Sequence, residues 1–195
     1  MSITKKKRGS TLKLQDMMYI SLFAAIIGVL AFFPPLPIPI IPVPITAQTL
    51  GVMLAGGILG ARRGGLSLLL FIILIAIGAP LMAGGRGGLG VLIGPSGGYI
   101  MAWPIAAYVI GYLTESIKDR NVWKLILCNM IGSILVIYTC GITYLSIIGD
   151  LPWGSTALSS LIFLPGDLVK IVIASVITVK INKVYPLLIK VRRVA

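Results

Sequence analysis

The sequence predicts an all-α integral membrane protein, six transmembrane helices in a compact bundle with both termini cytoplasmic. Three observations carry that prediction. Apolar residues make up 57% of the 195 and charged residues only 11%, whereas a soluble domain carries about 25% charge. Charge-free runs extend from Met17 to Ala61, Gly64 to Gly85, Gly87 to Thr114 and Leu125 to Gly149; each exceeds the ~20 residues that cross a hydrocarbon core as a helix. The basic residues fall into one set of alternate connections, as the positive-inside rule requires. With a mean hydropathy of +1.04, the chain cannot clothe its surface for water.

The elements follow from punctuation. Residues 1–13 form a basic cytoplasmic tail, 14–189 a single membrane domain and 190–195 a second basic tail. Helix one is expected from Leu14 to Phe33. It resembles a signal peptide, but its apolar run is long and ends in prolines without a small-residue cleavage site, so it is read as a retained span. Prolines at nearly alternate places from Pro34 to Pro44 forbid helix and favour extended backbone, so this stretch is an ordered non-helical loop. Helix two covers Ile45 to Gly60 and stops at Arg62 and Arg63; helix three covers Gly64 to Met82. A glycine-rich loop, Ala83 to Gly94, leads to helix four, from Pro95 in its first turn to Glu115. Helix five follows the turn at Lys118–Arg120 and ends near Gly149. A looser stretch, Asp150 to Leu164, precedes helix six, which starts at Pro165 and runs towards Tyr185.

Orientation follows from charge. With the N-terminus inside, cytoplasmic segments hold Lys5, Lys6, Lys7, Arg8 and Lys13, then Arg62 and Arg63. They also hold Lys118, Arg120 and Lys124, and finally Lys180, Lys183, Lys190, Arg192 and Arg193, so that 15 of the 17 basic residues lie inside. The net charge of +12 needs no nucleic acid; the N-terminal cluster is read as an anchor for helix one in a membrane of lipids. Arg86 alone falls outside, between glycine pairs that let backbone approach a ligand closely.

Lys170 lies at membrane depth, three residues after Asp167 in a span that is otherwise apolar. Residues at i and i+3 share a helix face, and charges at that depth persist only when partnered or facing a polar cavity. Two readings stay open: an ion pair stapling two helical turns, or the polar face of a ligand pocket. Arg86, Asp167 and Lys170 could converge on one outward-facing pocket.

Other chemistry is missing. Without histidine there is no imidazole base and no His-ligated metal. Asp167 has no companion carboxylate in the apolar body, and no lysine precedes Ser or Thr, so there is no phosphate loop of the ATPase type. Cys128 and Cys140 share one apolar run and are read as packing residues rather than a disulfide. Helix one carries small residues four apart, Ser21 with Ala25 and Ala24 with Gly28, a spacing that lets another helix approach closely.

Three motifs together resemble a known family. Pro42-Val-Pro-Ile-Thr-Ala-Gln-Thr49 runs into Leu50-Gly-Val-Met-Leu-Ala-Gly56; Gly94-Pro-Ser-Gly-Gly-Tyr99 closes the glycine-rich loop; Leu164-Pro-Gly-Asp167-Leu-Val-Lys170 opens helix six. In this order, over about Leu14 to Lys180, they resemble the BioY family. Its members are the biotin-specific substrate-binding subunits (S components) of energy-coupling factor transporters in bacterial plasma membranes.

The resemblance implies a six-helix bundle that binds one biotin near its outer face. It implies association with a membrane coupling subunit and two cytoplasmic ATPases, which use ATP in its stead. No cofactor and no catalysis of its own are implied. Carried over by position, the substrate-binding residues are Thr46, Gln48, Arg86, Tyr99, Asp167 and Lys170. Tyr99 and Trp103, four apart, would pack on the bicyclic ring. The partner-docking residues are Ser21, Ala24, Ala25 and Gly28, with Ser21 where the family more usually has alanine. Two alternatives remain at this stage: an S component for a different vitamin, and a membrane-embedded acyl or phosphate transferase. The transferase would want its glycine loops at the cytoplasmic face, which the charge partition opposes.

Overall fold

The computed structural model describes residues 12–184. The basic residues Lys5, Lys6, Lys7, Arg8, Lys190, Arg192 and Arg193, and hence most of both expected tails, lie outside the described residues.

Helix α1 (Leu14–Val29) continues through a 3₁₀ turn, Leu30–Phe32. Asp16 accepts the Lys13 backbone N–H at 3.1 Å and puts a negative charge in the first turn, where the helix dipole favours it. The proline-rich stretch folds into a β-hairpin, β1 (Leu36–Ile38) with β2 (Ile41–Ile45), paired Leu36 with Ile45 and Ile38 with Ile41. Proline lacks the N–H that a ladder needs. Because the prolines fall at alternate places, the residues between them do the pairing. Along β2 the side chains of Ile41 and Val43 turn into the core while Pro42 faces out, the two-residue period of a strand.

Helix α2 (Gln48–Leu54) passes into a π-helical turn, Ala55–Leu59. It starts later than expected because Ile45 belongs to the hairpin. Helix α3 (Ala61–Ala76) begins three residues early and stops well short of Met82. Its end lies at Gly78, whose φ of 102° turns the chain as an L-residue rarely can, with Pro80 just beyond. The glycine-rich loop is not structureless. Met82 and Arg86 pair as an antiparallel bridge, and α4 (Leu89–Ile93) follows.

The expected fourth helix is broken into α5 (Gly97–Met101) and α6 (Trp103–Ser116), since Pro104 cannot donate to the carbonyl four residues back. Helix α7 (Val122–Asn129), capped by the Asn121 side chain, runs through a π-helical stretch, Met130–Val136, into α8 (Ile137–Ile148). The stretch expected to be loose is helical: α9 (Trp153–Ser160), then a 3₁₀ turn, Leu161–Phe163. Its hydroxyls satisfy themselves on the preceding turn, Thr156 on the Pro152 carbonyl at 3.1 Å and Ser160 on the Thr156 carbonyl at 2.8 Å. Both residues are buried, so packing overrides the weak helix propensity of serine. Helix α10 (Leu164–Val184) follows without a gap.

Among the described residues, three helical runs are long and apolar enough to cross a membrane: Leu14–Phe32, Val122–Ile148 and Trp153–Val184. One end of the bundle gathers the charges. Arg63 pairs with Asp16 and lies over the Tyr19 ring, and Glu115 accepts the first N–H of α3 at 2.8 Å. The other end carries the hairpin and the Met82–Arg86 turn, and the cavity opens between them.

Candidate functional site

A cavity partly open to solvent lies under the hairpin, a concave apolar pocket with a few convergent polar groups, as small-molecule sites are. Val43, Pro44 and Ile45 of β2 form one wall, and Trp103, Ile137 and Phe163 form others.

Its polar floor is a closed set of contacts. Lys170 Nζ lies 2.9 Å from Asp167 Oδ1 and 2.9 Å from Thr49 Oγ1. Thr49 Oγ1 is itself 3.4 Å from Asp167 Oδ1, and the Tyr138 hydroxyl donates to Asp167 Oδ2 at 2.8 Å. Asp167 is only 7% exposed; a carboxylate this buried needs a counter-charge and donors, and here both its oxygens have them. The (i, i+3) spacing on α10 brings the ions together, and α2 and α8 deliver the two hydroxyls. An ammonium carries three N–H donors, two of which these contacts use. The floor therefore keeps one strong donor for a ligand acceptor.

Aromatic rings line the sides. The Phe163 ring stands edge-on to Tyr99 at 6.1 Å and to Tyr138 at 6.4 Å, a favourable quadrupole arrangement. The Tyr99 hydroxyl and Ser160 Oγ are 2.9 Å apart. Trp103 stacks on Phe71, centroids 6.0 Å apart. Both Tyr99 and Trp103 are buried, so they pack inside the bundle and not as ring anchors at a membrane interface. Arg86 stands exposed at the mouth, its Nε on the Ala83 carbonyl at 3.3 Å.

Of the six expected binding residues, Thr46, Arg86, Tyr99, Asp167 and Lys170 line this cavity. Gln48 does not. Its amide bonds the carbonyls of Leu81 at 3.0 Å and Ile27 at 3.4 Å and accepts the Ala83 N–H at 3.2 Å. With both its N–H donors and one lone pair of its carbonyl engaged by backbone, Gln48 instead ties the segment carrying Arg86 to α1.

Sequence reasoning missed Thr49 and Tyr138. Thr49, in the first turn of α2, sits three residues after Thr46, and the helix expected from Ile45 would have put the two on one face, a spacing that could have exposed it. Tyr138 offered no such signal, because the π-helical stretch before it breaks the 3.6-residue period.

The small residues of α1 divide by burial. Ser21 and Ala25 are exposed. Ala24, 2% exposed, faces inward, and a Cβ on Gly28 would lie 3.2 Å from Leu81. Ala24 and Gly28 therefore pack the interior, a correction to the four-residue docking surface expected.

Cys128 and Cys140 are both free thiols. Among the described residues no group of three or more His, Cys, Asp or Glu comes together to hold a metal.

The fold and cavity define a helical membrane protein with a pocket of apolar walls and a polar floor at one end. The chain belongs to the BioY family, whose sequence model matches residues 4–187. It is 43% identical to the biotin transporter BioY of Rhizobium etli over 89% of this chain and 96% of that one. It is also 43% identical to the probable biotin transporter BioY of Bacillus subtilis over 88% and 92% respectively. Its fold is similar to the crystal structure of the S-component for biotin from an ECF-type ABC transporter, with a TM-score of 0.84 and 33% identity, covering 90% of this chain and 94% of that one.

Proposed function

We infer that this chain binds biotin in the cavity under the hairpin and acts as the S component of an ECF-type ABC transporter that takes biotin up. The observation carrying this reading is the polar floor of Asp167, Lys170, Thr49 and Tyr138 beneath apolar and aromatic walls. Biotin has matching parts: a ureido ring with a carbonyl acceptor and two N–H donors, an apolar bicycle and chain, and a carboxylate. The ureido carbonyl takes the remaining donor of Lys170, the rings of Tyr99 and Trp103 hold the bicycle, and the carboxylate meets Arg86 at the mouth. Thr46, at the end of the hairpin, is left to the ureido N–H groups.

In this reading six helical segments cross the bacterial plasma membrane, the shorter ones accommodated by local thinning of the bilayer and by snorkelling of flanking side chains. Both termini face the cytoplasm, because the charged end at Arg62, Arg63, Lys118 and Lys124 obeys the positive-inside rule. Ser21 and Ala25 present a small-residue stripe to the membrane coupling subunit, and two cytoplasmic ATPases supply the energy. The chain itself binds and does not catalyse, and it needs no cofactor.

The test is equilibrium titration of the purified, detergent-solubilised chain with biotin, alongside mass spectrometry of whatever small molecule co-purifies. Saturable binding of one biotin per chain is expected, with affinity lowered at least tenfold in Asp167→Asn. A well-folded chain that ignores biotin but carries another vitamin would overturn the assignment.

A further inference from the structure

The hairpin is apolar on both of its faces. One face, with Ile41 and Val43, packs into the core. On the outside Leu36 and Ile40 are 62% and 72% exposed, with Pro37, Pro39 and Pro42 exposed beside them. From Leu22 to Ile45 no side chain carries a polar atom. An antiparallel pair with one side in water alternates apolar with polar residues, and soluble proteins guard an open strand edge with charge as well as proline. No charge stands here. The backbone is equally poor in donors. Pro34, Pro35, Pro37, Pro39, Pro42 and Pro44 carry no N–H. Of the residues that do, the ladder pairs Leu36 with Ile45 and Ile38 with Ile41. Among the described residues the sheet has two strands, so its outer edges are open.

We propose that the outer face of the hairpin lies against lipid, sunk into the boundary between headgroups and acyl chains of the outer leaflet. Depth along the chain selects this occupant. The run Leu14–Phe32 that leads into the hairpin has 19 residues, about 28 Å at ~1.5 Å per residue, close to the ~30 Å of a hydrocarbon core. The chain therefore leaves α1 at the edge of the hydrocarbon and turns into the hairpin there. Lipid cannot satisfy a backbone N–H, which keeps open sheet edges out of the hydrocarbon core. The prolines delete most of those donors, and at the boundary the remaining carbonyls still reach water. The same deletion disfavours a second chain, since a strand added to this edge would need the missing N–H groups. The back of the wall that Val43, Pro44 and Ile45 give the cavity is then the leaflet rather than water. Which leaflet it is rests on the orientation proposed above; the contact with lipid does not.

Nitroxide labels on the full chain in phosphatidylcholine vesicles, without biotin, test the contact. Ile40→Cys and Leu36→Cys each carry the label, with Cys140→Ser added because the Cys140 thiol is exposed. Leu135→Cys, exposed midway along Val122–Ile148, is the reference in lipid, and Asp119→Cys, exposed in the turn before α7, the reference in water. Electron paramagnetic resonance reads collisions with oxygen, which concentrates among acyl chains, and with a nickel chelate confined to water. At both hairpin positions the oxygen-to-nickel ratio is expected to exceed that of Asp119→Cys at least fivefold, approaching that of Leu135→Cys. A ratio equal to that of Asp119→Cys would put the hairpin in water and overturn the proposal. Few collisions with either reagent would overturn it too, giving the face to a second copy or another protein. Either label site alone decides, should the other substitution disturb the fold. Biotin titration of the same variants reports separately on the cavity, so this contact and the biotin reading can fail independently.

Discussion

The Tyr138 hydroxyl reaches Asp167 Oδ2 at 2.8 Å, while the opposite oxygen, Oδ1, is held by Lys170 and Thr49. The carboxylate is thereby oriented from both sides, by α8 on one and by α2 and α10 on the other. In the binding mode proposed above, the carboxylate anchors Lys170 and the ammonium faces the ligand.

Removing the hydroxyl from Tyr138 tests this division. Tyr138→Phe keeps the ring that packs against Phe163 but deletes a hydrogen bond to a buried charged group, which is worth about 1.5–3 kcal/mol. The expected outcome is a biotin dissociation constant raised about tenfold or more in calorimetric titration, with the helical circular dichroism of wild type. An unchanged constant would leave the tyrosine as packing alone.

The two cations should separate by ligand chemistry. Arg86→Ala should weaken biotin by more than ~1.4 kcal/mol, or tenfold, yet hardly affect biotinamide, which carries no carboxylate. Lys170→Ala should weaken both ligands alike, because it removes the contact to the ureido end and leaves Asp167 uncompensated. Competition binding with the two ligands measures each ratio; reversal of the pattern would mean that the vitamin sits the other way up.

The hairpin should act as a cover. Val43, Pro44 and Ile45 wall the cavity, and their prolines limit the entropy lost in closing it. Deleting Pro35 to Pro42 should therefore raise the biotin off-rate at least tenfold, read by stopped-flow displacement. Undiminished affinity and an unaltered off-rate would dismiss the cover.

Close packing behind Tyr99 gives a stability prediction. A Cβ on Gly141 would stand 2.2 Å from the Tyr99 ring, and overpacking a core costs about 1–3 kcal/mol. Gly141→Ala should lower the melting temperature and, by pushing Tyr99 towards the cavity, weaken biotin binding. Gly90→Ala, where a Cβ meets nothing within 4 Å, is the matched control and should do neither.

Composition made the membrane class and the helical character legible, because oil imposes long apolar runs. Spacing along α10 was equally direct: residues three apart must share a face, so Asp167 and Lys170 had to meet. Local geometry could not say what stands opposite them. Thr49 and Tyr138 come from 118 and 29 residues away from Asp167 in the chain, the second behind a π-helical shift of register. Gln48 and the Ala24–Gly28 stripe looked functional as strings of letters, yet packing turned both inward. The helix at Trp153–Ser160 exists because its hydroxyls are buried and bonded to their own backbone. Contacts between distant segments, together with burial, decide such matters, and neither is a property of any short stretch of sequence.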